Sequence, residues 1–411
     1  MWTEQEQKRI DACDVVVVGA GLVGAAVAAR LAREGFDTAV LEALSVAGGA
    51  TGRNAGMVLT GLADHYNWAV SAYGRERARE VWSLTVEGRE RLVETAERLG
   101  APVEHTGSLA LAVEEAEADA LRESAELLRE DGFNAWFGPS DPLDRGFCAA
   151  LRQPDDVTVD GAALTRALLD TCDVPVHERS EVYGLEPEGD GIRVWARGRT
   201  ALCGAVVLAV NGYASLIDPY FSDKVAPTRS LVFATEPLDE VVLEQPCCAG
   251  YGYAYCRQLP DRRLLMGGWR RLNPHSFDSA LRPTPQRRPQ DKPRPFPLQR
   301  GRETPIPGPS PSEGEGRQAG LGDVVQDVLI RFVSRHFPEV ETHNASHWSG
   351  TMGFTPDGLP LVGALPDLPQ VYFAVGFGGR GLTWAFVTAE WLVGLMLHGA
   401  DPGILSAARL G

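Results

Sequence analysis

The sequence predicts an α/β protein, α+β overall, in which a second domain interrupts the first. Three stretches favour this architecture. Residues 14–42 have the pattern strand, glycine-rich turn, helix and strand, residues 75–144 contain long charged helices, and residues 226–269 are β-rich and aromatic. The first pattern is typical of a Rossmann-like parallel sheet, and the last of an antiparallel sheet. We therefore expect a Rossmann-like domain with a discontinuous second domain built on an antiparallel sheet.

The domain boundaries follow changes in composition. Residues 282–318 are crowded with proline and arginine and contain almost no aliphatic side chains. Such a segment cannot bury enough apolar surface to fold, so we predict a disordered or polyproline-like insertion there. The predicted first domain comprises 1–74, 145–225 and 345–411, and the second comprises 75–144 and 226–344 with the insertion inside it.

Charge and cysteine content exclude several classes of partner. The 411 residues carry a net charge of −16, which argues against nucleic acid or an anionic membrane surface as a partner. No apolar h-region begins the chain and no charge-free apolar run approaches about 18 residues, so we expect neither a signal peptide nor a membrane span. The seven cysteines form no C-x-x-C pair, which disfavours a disulfide framework or a metal site and predicts a cytoplasmic protein.

Residues 14–42 contain a complete nucleotide-binding pattern. The strand of valines at 15–18 leads into Gly19, Gly21 and Gly24, which have G-x-G-x-x-G spacing. These glycines permit a tight turn, close approach of a pyrophosphate, and close packing of the helix on the strand. Glu42 ends the next strand about 20 residues later, where a carboxylate can bind ribose hydroxyls. The unit predicts a site for an ADP-containing dinucleotide.

Two further segments leave the same sheet. Residues 44–58 hold four glycines together with Thr51, Arg53 and Asn54, so we interpret them as a loop that passes close to a ligand rather than as a flexible surface loop. A later strand ends at Asn211 and Gly212, where the carboxyl ends of parallel strands bind ligands.

A second glycine cluster lies near the C-terminus. Gly376, Gly378, Gly379 and Gly381 come directly before a long apolar helix that we predict to end near residue 397, and Arg380 lies among them. Free N–H groups and the helix dipole at such a turn favour an anion, and arginine adds a fixed positive charge.

The aromatic segment near residue 250 allows two interpretations. We predict a hairpin with strands at 251–258 and 264–269, and Tyr251, Tyr253 and Tyr255 alternate within it. If that shared face is buried the tyrosines belong to the core, whereas over a pocket their hydroxyls could orient a substrate.

With both glycine clusters, the chain resembles the D-amino acid oxidase-like family of FAD-dependent oxidoreductases, which includes glycine, sarcosine and γ-glutamylputrescine oxidases. GAGLVG with Glu42 resembles the family's site for the ADP half of FAD, and GATGRNAG is similar to its second loop. LAVNGYA, APTRSLVFATEPL and YAYCRQLPDRRLLMGG resemble its middle strands, while TPDGLPLVG with GFGGRGLTW resembles its C-terminal flavin loop.

The resemblance implies an FAD-binding first domain and a substrate domain whose sheet lies over the flavin. It places Arg380 at the pyrimidine edge of the flavin, and we predict Arg380 and Tyr255 as catalytic residues. The predicted cofactor-binding residues are Gly19, Ala20, Gly21, Leu22, Val23, Gly24, Glu42, Ala43, Thr51, Arg53, Asn54, Ala55, Gly56, Met57, Val182, Asn211, Gly212, Gly353, Gly378, Gly379, Arg380, Gly381, Leu382 and Thr383, and the predicted substrate residues are Tyr253, Tyr255, Trp269 and Trp384.

The activity implied is oxidation of a C–N bond in an amino acid or amine by hydride transfer to flavin N5, with O2 or another compound as electron acceptor. Alternatives are oxidation of a 2-hydroxy acid on the same fold, or a weakly catalytic flavin-binding assembly factor. No histidine in the sequence stands out as a base.

The chain departs from covalently flavinylated relatives, which use a cysteine before the TPD-like motif or a histidine in the first glycine loop. Here those regions contain Met352 and Arg53, so we expect non-covalent FAD. The strand LLMGGW lacks the lysine that promotes reaction with oxygen in sarcosine oxidases, which leaves oxidase and dehydrogenase both open.

Overall fold

A computed structural model describes residues 8–10, 12–268 and 321–411. The helices it contains are α1 (Leu22–Arg33), α2 (Tyr66–Tyr73), α3 (Arg75–Arg98), α4 (Glu115–Glu130), α5 (Gly161–Asp170), α6 (Leu321–His336) and α7 (Gly381–His398). The strands are β1 (Lys8–Arg9), β2 (Cys13–Val18), β3 (Thr38–Leu41), β4 (Met57–Val58), β5 (Val103–Glu104), β6 (Ser108–Ala112), β7 (Trp136–Gly138), β8 (Ala149–Gln153), β9 (Val157–Val159), β10 (Val176–His177), β11 (Val182–Glu188), β12 (Gly191–Ala196), β13 (Arg199–Leu208), β14 (Ala226–Pro237), β15 (Cys247–Ala249), β16 (Ala254–Gln258), β17 (Arg263–Gly268), β18 (Ser346–Phe354), β19 (Leu361–Ala364) and β20 (Val371–Val375). The insertion predicted at 282–318 and Trp269 lie outside the described residues.

The first sheet has the order β10-β3-β2-β13-β12-β11, with β1 and β20 also paired to β13. Its centre is parallel, since β2 pairs in parallel with both β3 and β13. The four valines of β2 are almost inaccessible, as expected for a strand covered on both faces. This sheet confirms the Rossmann-like part of the prediction.

The second sheet has the order β18-β14-β17-β16-β15-β6-β8-β7 and is antiparallel except for the pairing of β15 with β6. It confirms the predicted antiparallel sheet. Two details differ from the predicted boundaries, because β8 and β18 belong to this sheet although they fall in segments assigned to the first domain. The other boundaries stay a prediction.

Clusters of buried hydrophobic side chains hold the helices and the two sheets together, and three of them define the positions used below. The first packs α1, α5 and α7 against the first sheet and contains Val17, Leu31 and Trp384. The second packs α6 on the outer face of the second sheet. A small third cluster around Ala55 and Val232 lies on the other face of the second sheet, which we call the inner face. The inner face therefore contacts the glycine-rich loop of the first domain.

Two local predictions were wrong. The charge-rich sequence at 75–100 predicts a solvated surface helix, but in α3 Val81 and Leu92 are fully buried and Gly88 packs on the backbone of Thr383 in α7. The tyrosine alternation also fails, because β16 begins at residue 254 and Tyr251 has a left-handed backbone with φ of 56°. Of the three tyrosines, Tyr255 alone lies in the strand.

None of the helices in the described ranges combines the length and the apolar composition needed to cross a bilayer.

Candidate cofactor and active site

The first glycine turn is tightly packed. Gly19 has φ of 105° at the end of β2, and a β-carbon there would lie 2.7 Å from the carbonyl oxygen of Ala209. A β-carbon on Gly24 would overlap the carbonyl oxygen of Gly19. The two glycines therefore bring the N-terminus of α1 close to the carboxyl ends of β2 and β13.

The N-terminus of α1 offers donors to a ligand. The Leu22 N–H donates to Thr51 Oγ1 at 3.1 Å, and the first backbone bond of the helix is from Ala25 N–H to Gly21. Within the described residues, the N–H groups of Val23 and Gly24 have no acceptor. Unpaired amides at a helix N-terminus form a site for an anion such as a pyrophosphate.

Glu42 closes this turn. Its Oε2 accepts the Ala20 N–H at 2.8 Å and its Oε1 accepts the Leu44 N–H at 2.7 Å. The side chain is half-buried, and each carboxylate oxygen has a further lone pair for a ribose hydroxyl. The Glu42 carbonyl accepts the Ser180 N–H at 2.8 Å, and Val182 then begins β11. Val182 therefore lies two residues along the chain from a residue that contacts Glu42, while the contacts of Glu42 and Val182 with a nucleotide stay a prediction.

The loop after Glu42 is folded by its own side chains. Asn54 donates to the carbonyls of Ala50 and Thr51 and accepts the Gly56 N–H at 2.7 Å. Arg53 donates to the carbonyl of Gly48 at 2.9 Å and to that of Ser349 in β18 at 3.1 Å. The structure therefore assigns both side chains to holding the loop in place.

Sequence reasoning missed Arg257. This buried residue of β16 donates to the Ala55 carbonyl at 2.9 Å and forms a 2.7 Å ion pair with Glu104. It fixes the loop against the inner face of the second sheet. Its position two residues after Tyr255 on one strand face was the available signal, since alternate residues point the same way.

Asn211 and Gly212 join distant segments. Asn211 has φ of 47°, and its Oδ1 accepts the N–H groups of Gly376 and Phe377 at 3.2 Å each. A β-carbon on Gly212 would lie 2.8 Å from the Met352 carbonyl, and one on Gly353 would lie 2.8 Å from Asn211 Oδ1. Gly353 also accepts the Gly378 N–H at 2.8 Å. These contacts fix the path of the C-terminal glycine turn.

Arg380 precedes the first residue of α7. Its Nε and Nη2 both donate to the Leu62 carbonyl at 3.1 Å. The guanidinium also lies beside the Cys248 thiol on the inner face, and burial raises the pKa of that thiol to about 11 although Arg380 opposes the shift. The thiol is therefore neutral near pH 7.

The first turn of α7 resembles that of α1. Its first backbone bond runs from the Trp384 N–H to the Arg380 carbonyl, so the amides of Leu382 and Thr383 precede the helical bonds. Thr383 Oγ1 donates to the Leu59 carbonyl at 2.9 Å, and the Thr383 side chain is fully buried. A second N-terminus that can bind an anion thus lies beside Arg380.

The segment 44–62 connects these two helix ends. Thr51 contacts the start of α1, whereas Leu59 and Leu62 contact the start of α7. Between them the segment is tied to the inner face by Arg257 and by the indole of Trp348, which donates to the Arg53 carbonyl at 3.0 Å. An extended ligand along this segment would have an anion site at each end.

The inner face presents a row of residues across neighbouring strands. Residues that lie opposite each other on adjacent strands form this row, which runs in the order Trp348, Val232, Gly267, Tyr255 and Cys248. The Tyr255 ring lies over Gly267, where any β-carbon would collide with it.

Two other predicted substrate residues, Tyr253 and Trp384, are buried to different extents. Tyr253 is 4% exposed at the edge of this face, and Trp384 is completely buried in the core of the first domain. Trp384 has no surface for a substrate, and we do not propose it further.

Comparisons with known proteins agree with this geometry. A family model described as FAD dependent oxidoreductase (DAO) matches residues 14–395, so the chain belongs to this family. Relatives include a probable oxidoreductase OrdL of Haemophilus influenzae, 23% identical over 91% of this chain and 80% of that protein. Gamma-glutamylputrescine oxidoreductase of Escherichia coli is 28% identical over 62% of this chain and 64% of that protein.

Among solved structures, L-proline dehydrogenase from P. horikoshii has a TM-score of 0.71 and 20% identity, and the match covers 96% of each chain. That likeness supports the fold. The family match confirms the resemblance inferred from the sequence, and the chain is an FAD-dependent oxidoreductase with FAD as its cofactor.

Proposed function

We propose that the chain oxidises a C–N bond of an amine or amino acid, with FAD extended along residues 44–62. The single observation that supports this best is the connection of two helix N-termini by that segment. The N-terminus of α1 and Glu42 suit the pyrophosphate and ribose of the ADP half, and the N-terminus of α7 with Arg380 suits the flavin half. The relatives named for γ-glutamylputrescine and L-proline act on compounds whose oxidisable carbon bears nitrogen, which favours the same bond here.

Bound FAD supplies the acceptor for a hydride, so that the amine becomes an imine that water then hydrolyses. The protein's part is to place and stabilise charge. Arg380 and the α7 amides would hold the flavin half and would present positive potential to negative charge that develops on it, and partial burial would strengthen that potential. Tyr255 on the inner face would orient the substrate from the opposite side. The amine has to be neutral to release a hydride.

The proposal is tested by anaerobic titration of the FAD-loaded protein with a panel of amines, amino acids and 2-hydroxy acids. We expect bleaching of the flavin absorbance with at least one amine or amino acid. Bleaching by a 2-hydroxy acid alone would favour oxidation of a C–O bond. A flavin that no compound bleaches would favour the assembly factor.

FAD is expected to leave the protein on acid precipitation, because Met352 and Arg53 occupy the positions at which relatives attach flavin covalently. A yellow pellet and a colourless supernatant would contradict this. Stopped-flow mixing of the reduced protein with air then separates O2 from another electron acceptor. Cytoplasmic location stays a prediction that fractionation of the source cells can test.

A further inference from the structure

A buried pair of side chains lies outside both glycine clusters. Glu117 projects from α4 with a side chain only 1% exposed, and His65 precedes α2 with a side chain 13% exposed. His65 Nε2 lies 3.5 Å from Glu117 Oε1, and this nitrogen is buried without a hydrogen-bond partner in the described part of the chain. Burial of a carboxylate is energetically costly unless several hydrogen-bond donors compensate it, so the burial of Glu117 requires an explanation.

On one side the pair holds the loop before β16. Glu117 accepts the backbone N–H of Tyr251 through a short contact and the Val113 N–H at 2.9 Å. The His65 and Tyr251 rings lie 5.3 Å apart. A left-handed backbone is unfavourable at tyrosine and persists only where its surroundings impose it. Glu117 and His65 are those surroundings, and the loop they hold leads directly to Tyr255.

On the other side the pair holds the loop that receives Arg380. His65 ends the short segment that starts at Leu62, whose carbonyl accepts both bonds from Arg380. The two loops also touch, because a β-carbon on Gly252 would lie 2.9 Å from the Ala63 carbonyl. Displacement of His65 would therefore move the acceptor of Arg380 and the approach to Tyr255 together.

We propose that Glu117 and His65 are positioning residues, which set the relative placement of the Arg380 guanidinium and the inner face that carries Tyr255. The link to catalysis rests on the proposed function of those two residues. The pair touches neither the α1 turn nor Glu42 in any contact described above, so the ADP half of the cofactor site is independent of it. Loss of the pair should lower the rate of flavin reduction while FAD affinity is kept.

The test uses the full chain loaded with FAD and the variant His65→Phe. Phenylalanine keeps a ring against Tyr251 and removes Nε2, while Glu117→Gln removes the carboxylate. Hydrogen–deuterium exchange should rise in both 59–66 and 247–258 in each variant. Flavin reduction should slow about ten- to hundredfold, as expected for a displacement near 1 Å, with less than about threefold change in KM and in the FAD dissociation constant. His65→Gln, whose amide can still reach Glu117, should recover part of the rate.

The matched controls are Glu126→Gln on the exposed side of α4 and His105→Phe at an exposed histidine, and both should behave as the wild type. A purely structural role would lower thermal stability and FAD affinity together and leave the reduction rate of the folded fraction unchanged, which would overturn the proposal. Exchange that rises in one loop alone would overturn it as well. If no amine reduces the wild type, the proposed function fails, whereas the exchange result still decides whether the pair couples the two loops.

Discussion

Gly24→Ala is expected to weaken FAD binding strongly. The new β-carbon would overlap the carbonyl oxygen of Gly19, and that backbone atom cannot move without disturbing β2 and its neighbour β13. Overpacking of this kind costs about 1–3 kcal/mol, and relief by tilting α1 would displace the free amides of Val23 and Gly24. We expect at least about a hundredfold weaker FAD binding, equivalent to roughly 2.7 kcal/mol, measured by quenching of FAD fluorescence.

Gly394→Ala is the matched control. Gly394 lies near the C-terminal end of α7, away from both glycine turns, and its β-carbon would come no closer than 3.7 Å to another side chain, that of Ala400. This variant should bind FAD as the wild type does. Equal affinity in both variants would show that close packing of α1 on the turn is not required for the cofactor. Circular dichroism of both proteins establishes that each is folded.

The features that the sequence predicted are those determined locally. The valines of β2, the spacing of Gly19, Gly21 and Gly24, and the glycine turn before α7 act through nearby backbone, so their structure follows from residue order. The same holds for the boundaries of α7, predicted to end near 397 and observed to end at His398.

The features that were missed depend on contacts between distant residues. Arg257 meets Ala55 across 202 positions, and Arg380 meets Leu62 across 318. No spacing rule can pair such residues. Glu117 shows a second cause, because the many exposed charges of α4 conceal one that faces inward. The bonds of Asn54 within its loop were not predicted, because the sequence gives residue types in a loop but not the direction of their side chains. Its contact with the cofactor stays a prediction.

The segment 44–62 combines both kinds of information. Its glycines indicated a close approach to a ligand, whereas its course from α1 to α7 became visible through the bonds of Thr51, Arg53 and Leu62. The two anion sites predicted separately from the sequence are thus the ends of one segment.

Arg380→Ala is expected to lower the rate of flavin reduction by about 10²–10³-fold, the usual effect of removing one preorganised donor from a developing charge. FAD affinity should change little, because the proposed site for the ADP half of the cofactor, at Gly24 and Glu42, is left intact. Arg380→Lys should be intermediate, since lysine keeps the charge but cannot donate from two nitrogens of a fixed fork to the Leu62 carbonyl. Arg166→Ala, at an exposed position of α5, is the control for loss of one positive charge. Anaerobic stopped-flow reduction measures the effect, and a rate within threefold of the wild type in Arg380→Ala would remove Arg380 from the catalytic residues.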